Sequence, residues 1–185
     1  MTRPLAQRPS PAELAAAETR TIPDVLAPRL KIMFCGINPG LWSAATGHHF
    51  ARPGNRFWPA LHHGGFTPRQ FAPREQSDLL PYGLGITNIV ARATARADEL
   101  TADELVEGGT ILAAKVRRLR PAWLAVLGVG AYRTAFGRRD AMVGRQPDRI
   151  GGTRVWILPN PSGLNAHYTP TQLAAHFNDL RTALG

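Results

Sequence analysis

Two short loops hold the residues of this chain whose types and spacing could do chemistry. The first is Gly36-Ile37-Asn38-Pro39-Gly40, directly after the apolar run Leu30–Cys35. An amide side chain neither ionises nor attacks carbon, but its oxygen can orient a water and its NH2 can donate hydrogen bonds. Pro39 stiffens the turn, and the flanking glycines allow close backbone approach and left-handed torsions. Taken alone, such a turn equally suits an asparagine that only closes its own loop. The second loop, Pro159 to Asn165, follows the run Arg154–Leu158 and repeats the Asn-Pro pair at Asn160-Pro161. It continues through Ser162, Gly163, Leu164 and Asn165, so Leu164 is an apolar side chain among small and polar ones. A leucine placed so either tucks onto the core or serves as a wedge that enters a base stack.

The two loops can cooperate only if the surrounding elements bring them to one edge. Four short apolar runs bounded by turn residues predict buried strands: Leu30–Cys35, Leu84–Val90, Trp123–Leu127 and Arg154–Leu158. Helical patterns alternate with them. Thr101–Leu119 opens on a capping box in TADE, and Thr169–Leu184 has a cap followed by Pro170. Ala131–Phe136 predicts a shorter helix, and Asn55–His63 one that Pro59 limits to a first turn or a kink. SPAE, Ser10 to Glu13, predicts a short capped helix within an N-terminal tail over 1–21, ahead of a single α/β domain over 22–185. Strand–helix alternation predicts a three-layer α/β/α sandwich around a short, mainly parallel sheet. Such sheets place ligands outside the carboxyl ends of their strands, where both Asn-Pro loops lie.

With both loops at strand ends, the chain resembles the mismatch-specific uracil/thymine-DNA glycosylase branch of the uracil-DNA glycosylase superfamily. The resemblance runs over roughly Ile22 to Leu184. It rests on PDVLAPRLKIMFCGINPG, the PGNRFW segment, LGITNIV, LAVLG and LPNPSGLN. It implies that Asn38 positions the hydrolytic water, that Phe50 stacks on a flipped base, and that Asn160 faces the extruded nucleotide. It places Gly36, Ile37 and Gly40 in the base pocket. Gly163, Leu164 and Asn165 match the loop that fills the gap in the duplex, with Ser162 beside them. It also implies no cofactor or metal, and slower chemistry than in relatives with an aspartate in the first loop. Where many relatives carry a bulky tyrosine just beyond the proline, Gly40 stands here, which implies room for C5 substituents. The expected activity is hydrolysis of the N-glycosidic bond of uracil, or of thymine and C5-modified or damaged pyrimidines, mispaired with guanine in double-stranded DNA.

Flipping is cheapest where pairing is already weak, as at a mismatch, and loss of the base leaves positive charge on the sugar. Asp98, in the segment after Val90, is a carboxylate that could activate water; with Glu99 it equally suits a solvated approach to the next helix. Strand cleavage by a glycosylase usually needs a nucleophilic amine. The only lysines are Lys31 and Lys115, neither in a candidate loop. Hydrolysis without lyase action is expected.

The 185 residues carry Lys+Arg 22 against Asp+Glu 13, a net charge of +9. That balance suits a polyanion, and the arginine skew suits phosphate recognition as well as a GC-rich genome. Arg52 and Arg56, flanking the Phe50 loop, are candidate DNA contacts. The sequence has no apolar run long enough for a membrane span and no signal-peptide pattern. A lone Cys35 in an apolar strand predicts a packed thiol in a reducing compartment. The expectation is therefore a cytoplasmic, nucleoid-associated monomer. The paired histidines, His48-His49 and His62-His63, lack metal-ligand spacing. Two other functions remain open at this level. One is a non-catalytic basic module that binds DNA lesions. The other is a nucleotide-binding α/β enzyme using the Gly128-Val129-Gly130 turn, although that turn has Arg133 where a dinucleotide motif has its third glycine.

Overall fold

A computed structural model describes residues 8–185. The first seven residues of the proline-rich start lie outside the described residues. The chain forms strands β1 (Ile32–Gly36), β2 (Leu84–Asn88), β3 (Trp123–Leu127), β4 (Gly144–Ile150) and β5 (Thr153–Leu158). Their spatial order is β2-β1-β3-β5-β4. The first four in that order run parallel, and β4 returns antiparallel to β5.

The apolar runs are continuous because both faces of the sheet are covered. In β1, Ile32 and Phe34 face one cluster while Met33 and Cys35 face the other. The first cluster takes Phe57 and Leu61 from α3 (Phe57–His63) and Leu173, Phe177 and Leu180 from α6 (Pro170–Ala183). The second takes Leu112 and Val116 from α4 (Ala102–Leu119) and Tyr132 and Ala135 from α5 (Val129–Phe136). This is the expected α/β/α sandwich. Two shorter helices, α1 (Pro11–Ala15) and α2 (Leu41–Thr46), lie near the start of the chain. The 3-10 turn that follows α1 (Ala16–Thr19), α2 and the loop after β2 meet in a small cluster of Ala17, Ala44 and Ala93.

Both expected capping boxes are present, and the expected Thr169 cap forms a third. Ser10, Thr101 and Thr169 accept from the third helical amide, and Glu13, Glu104 and Gln172 reach back to the cap. Pro59 sits in the first turn of α3, where backbone amides have no intrahelical partner, so it costs no hydrogen bond.

The sequence pattern missed β4. GRQPDRI is polar and contains Pro147, because β4 is an edge strand with one side open to solvent. The register shifts between Arg145 and Arg149, around that proline. Strand ends also differ from expectation. β2 stops at Asn88 rather than Val90, which moves Asn88 from a strand interior to its carboxyl end. The 3-10 segment Pro73–Tyr82 was also without a sequence signal.

Helix α4 carries two buried glycines with a packing reason. A Cβ on Gly108 would lie 2.4 Å from the Ile89 carbonyl oxygen, and one on Gly109 would lie 2.4 Å from that of Ala135. The helix thus rests on the backbone after β2 and on α5. At an unconstrained helix site glycine to alanine stabilises by about 0.5–1 kcal/mol. Gly108→Ala is expected to do the opposite, destabilising by about 1–3 kcal/mol through overpacking. Urea unfolding should show a lower midpoint at unchanged slope; a raised midpoint would mean that α4 can lift off the β2 loop at little cost.

Candidate active site

The carboxyl ends of β1, β2, β3 and β5 surround a cavity of about 140 Å³. A cavity of about 150 Å³ holds one benzene ring, so this one matches a single six-membered ring. Gly36 to Gly40 line it after β1, Asn88 ends β2, Leu127 ends β3, and Asn160 to Ser162 follow β5. The two Asn-Pro loops, separate in sequence, therefore share one pocket.

The orientation of Asn38 follows from its partners. Its Nδ2 donates to the Arg92 carbonyl at 2.9 Å and to Thr94 Oγ1 at 2.7 Å. A carbonyl can only accept, so the amide nitrogen must lie on that side. Thr94 confirms it, since its one hydroxyl hydrogen goes to the Arg96 carbonyl at 2.7 Å. Both amide hydrogens are thus occupied, and Oδ1 is left as a fixed acceptor on a residue that lines the cavity. Thr94 is itself held by its amide donating to the Pro39 carbonyl. The preceding residues are tied to the start of α4 by Arg92, which pairs with Glu104 at 2.7 Å. That arginine, with the Thr101 amide, holds the Glu104 carboxyl at about 2.

Phe50 faces the cavity from a left-handed backbone, φ 54°, which costs of order 1–3 kcal/mol for a side chain of this kind. Neighbouring bonds hold it there. Ser43 Oγ accepts from the Ala51 amide, Gln76 accepts from the His49 amide, and Trp58 donates to the His49 carbonyl. The Phe50 ring stacks on Phe57 at 4.2 Å between centroids and leans over Gly36. A Cβ on Gly36 would lie 2.5 Å from Asn88 Oδ1 and 3.3 Å from the Phe50 ring, so glycine here serves close approach. Neither Gly36 nor Gly40 uses the expected left-handed torsion. Gly40 instead opens space: nothing lies within 4 Å of where its Cβ would be.

Asn88 and His49 line the same cavity, and sequence reasoning missed both. Asn88 was hidden by the strand drawn through it, although a polar residue in so apolar a run was the available signal. His49 was weighed only as a metal ligand. The ring of His49 lies 2.9 Å through Nε2 from the Pro23 carbonyl, which requires the hydrogen on Nε2. In the neutral ring Nδ1 is then an acceptor, and Asn88 Nδ2 donates to it at 3.4 Å. Desolvation lowers the His49 pKa below the ordinary histidine value, opposed by the Pro23 hydrogen bond and nearby Asp24 and reinforced by His48 and Lys115.

In the second loop Asn160 Oδ1 accepts from the Ser162 amide at 2.9 Å, and Asn165 Nδ2 donates to the Asn160 carbonyl at 3.0 Å. Leu164 lines the cavity mouth and is 68% exposed, so it is not tucked onto the core. Gly163 meets the backbone of Gly54, where a Cβ would lie 2.7 Å from the carbonyl oxygen. Ile37 and Arg52 line the cavity. Arg56 does not: its guanidinium lies under the second loop and donates to main-chain carbonyls there.

The structure does not bring Asp98 to the cavity wall. Its carboxylate pairs with exposed Arg96 at 2.5 Å, with 63% of the Asp98 side chain exposed. Lys115 pairs with Asp24 and Thr87, and Lys31 packs beside Gly83. Trp42 lies near Arg8, away from the cavity lining. Cys35 is buried, and desolvation pushes its thiol far above the ordinary range. Gly128, with φ 142°, caps α5 in the tight turn expected after β3. Among the described residues no cluster of three His, Cys, Asp or Glu side chains could hold a metal ion. No helix there is long and apolar enough to cross a membrane.

Residues 23–181 match the family model described as the Uracil DNA glycosylase superfamily. The fold is also similar to the solution NMR structure of a "putative Uracil DNA glycosylase" from Methanosarcina acetivorans. The TM-score is 0.58 at 18% identity, over 88% of this chain and 98% of that one. At that identity the likeness speaks for the fold.

The His49 arrangement has a pH signature. With its folded pKa below 6.5, the unfolded chain binds more protons just under that value. Stability is then fully present above it and declines as pH falls. Comparing melting temperatures at about pH 7.5 and about pH 5.5, above the carboxylate range, should show a smaller acid loss in His49→Gln than in the wild type. An equal loss in both would mean that His49 is not held neutral.

Proposed function

Because the chain belongs to the uracil DNA glycosylase superfamily, we propose that it hydrolyses the N-glycosidic bond of uracil mispaired with guanine in double-stranded DNA. Thymine and other C5-substituted pyrimidines are further substrates on this reading. The observation that carries it is the Asn38 carboxamide, whose two hydrogens are held by Arg92 and Thr94 and whose oxygen is free.

The target nucleotide leaves the stack and its base enters the one-ring cavity against Phe50. Asn38 Oδ1 accepts a hydrogen from a water and aligns it with the sugar anomeric carbon. The water oxygen bonds to that carbon as the carbon–nitrogen bond breaks. The bonding pair leaves with the base, and the surplus proton of the water passes to solvent. The sugar carries positive charge in the transition state, which flanking phosphates stabilise. Asn38 contributes placement rather than proton transfer, so the rate gain comes from orientation.

Three further observations support this reading. Leu164 is exposed at the cavity mouth, where a wedge can fill the vacated stack. The open space at Gly40 is in keeping with room for a C5 substituent. Neither lysine lines the cavity, in keeping with hydrolysis that leaves the strand intact.

The test is a G·U duplex incubated with the protein in EDTA, followed by alkali. Alkali-dependent cleavage at the uracil is expected, with little cleavage before alkali. Asn38→Ala should lower single-turnover excision by about 10²-fold or more, as loss of an oriented nucleophile does. Thr94→Val removes one hydrogen bond from the amide and should cost about tenfold. Absence of alkali-labile sites on every mismatched or uracil-containing substrate would sink the proposal.

A further inference from the structure

Arg56 is an unusual arginine. Its Nη1 donates to the Tyr168 carbonyl, and its Nη2 donates to the carbonyls of Ser162 at 3.0 Å and Asn165 at 2.7 Å. Its main-chain amide donates to the Pro161 carbonyl at 2.9 Å. One residue thus gathers four carbonyls spread along the segment from β5 to α6. It forms none of the ion pairs found among the described residues. Its Nε is buried without a partner. The guanidinium is half-buried, and a cation drawn out of water and answered only by peptide dipoles is costly, so such a group persists where it does something a neutral residue could not.

The segment it holds has no helix or strand of its own between Leu158 and Pro170. Its other bonds are short-range: the Ser162 amide to Asn160 Oδ1, Asn165 Nδ2 to the Asn160 carbonyl, the Leu164 and Asn165 amides to Ser162, and the His167 amide to Asn165 Oδ1. These close small turns but do not anchor the turns to the body. The anchor is Arg56, at the cap of α3, whose next residue Phe57 carries the Phe50 ring. The wall that holds Phe50 and the loop that presents Leu164 therefore meet at one guanidinium. A planar fork can address three fixed carbonyls at once, whereas an ammonium is a single point of charge.

We propose that Arg56 is a positioning residue that clamps the 159–168 loop in the shape that presents Leu164, rather than a residue that grips a DNA phosphate. The role for Leu164 rests on the glycosylase reading above; the clamp itself does not. A loop that must displace a stacked base needs to be stiff before it meets DNA, and the clamp supplies that stiffness in the free protein.

The experiment compares wild type with Arg56→Met and Arg56→Lys. Amide hydrogen exchange of the free proteins reads the loop. Equilibrium binding to a duplex with a stable abasic site, across a salt series, reads the interface. Both variants are expected to exchange the Leu164, Asn165 and His167 amides about tenfold faster or more, with exchange in β1 and β3 unchanged. Both should bind the abasic duplex about tenfold more weakly, with the slope of log affinity against log salt unaltered. A phosphate contact behaves differently: Arg56→Met would lower that slope by about one, and Arg56→Lys would restore it. That pattern, or loop exchange unchanged in both variants, overturns the clamp. Should the wild type bind the abasic duplex no better than an intact one, the glycosylase reading fails instead. The exchange measurement, which uses no DNA, then still decides the clamp.

Discussion

For the Asn38 oxygen to face a cavity, both amide hydrogens must be engaged elsewhere, and the groups that engage them belong to a different loop. Arg92 and Thr94 follow β2, so the loops after β1 and β2 must run side by side. Parallel pairing of the two strands, with Gly36 opposite Asn88, brings them there. Thr94 in turn is fixed by the Pro39 and Arg96 carbonyls, and the segment is moored to α4 through Arg92 and Glu104. A chain of ordinary hydrogen bonds thus runs from the cap of the longest helix to one carboxamide. No member of that chain has to change protonation state to hold the Asn38 carboxamide, which suits the placement role proposed for it.

The rest of the pocket is stiffened by other means. Phe50 is held in a strained backbone by side chains from α2, α3 and the 3-10 segment, and its ring is stacked on a core phenylalanine. Gly36 lets Asn88 and Phe50 close over the end of β1. The second loop hangs on Arg56. The pocket walls are therefore set in advance, so a ring entering the pocket would not have to order them, and less binding free energy would be lost to ordering.

Charge is distributed in keeping with this division. Several arginines that flank the pocket in sequence are engaged within the protein: Arg69 with Glu75, Arg92 with Glu104, Arg96 with Asp98, Arg138 with Asp148. Arg56 is turned inward. Arg52 lines the cavity and belongs to none of these pairs. The net charge of +9 is a property of the whole surface, and it does not by itself say which guanidinium meets a ligand.

By itself the sequence determined what local physics can carry. Runs apolar on both faces had to be buried strands, two capping boxes and the Thr169 cap had to start helices, and two Asn-Pro loops at strand ends had to meet once the strands ran parallel. Leu164 was legible as an apolar residue out of place. What only the tertiary structure decided depends on partners far apart in the chain. Asn38 meets residues 54 and 56 positions away, and Arg56 meets carbonyls more than a hundred positions away. Such bonds leave no periodicity to read. They turned the Arg56 guanidinium onto main-chain carbonyls of the second loop, left Asp98 at the surface, and drew Asn88 and His49 to the pocket wall. The edge strand β4 escaped notice for a related reason: a half-solvated strand with a proline obeys its neighbour's register more than its own composition.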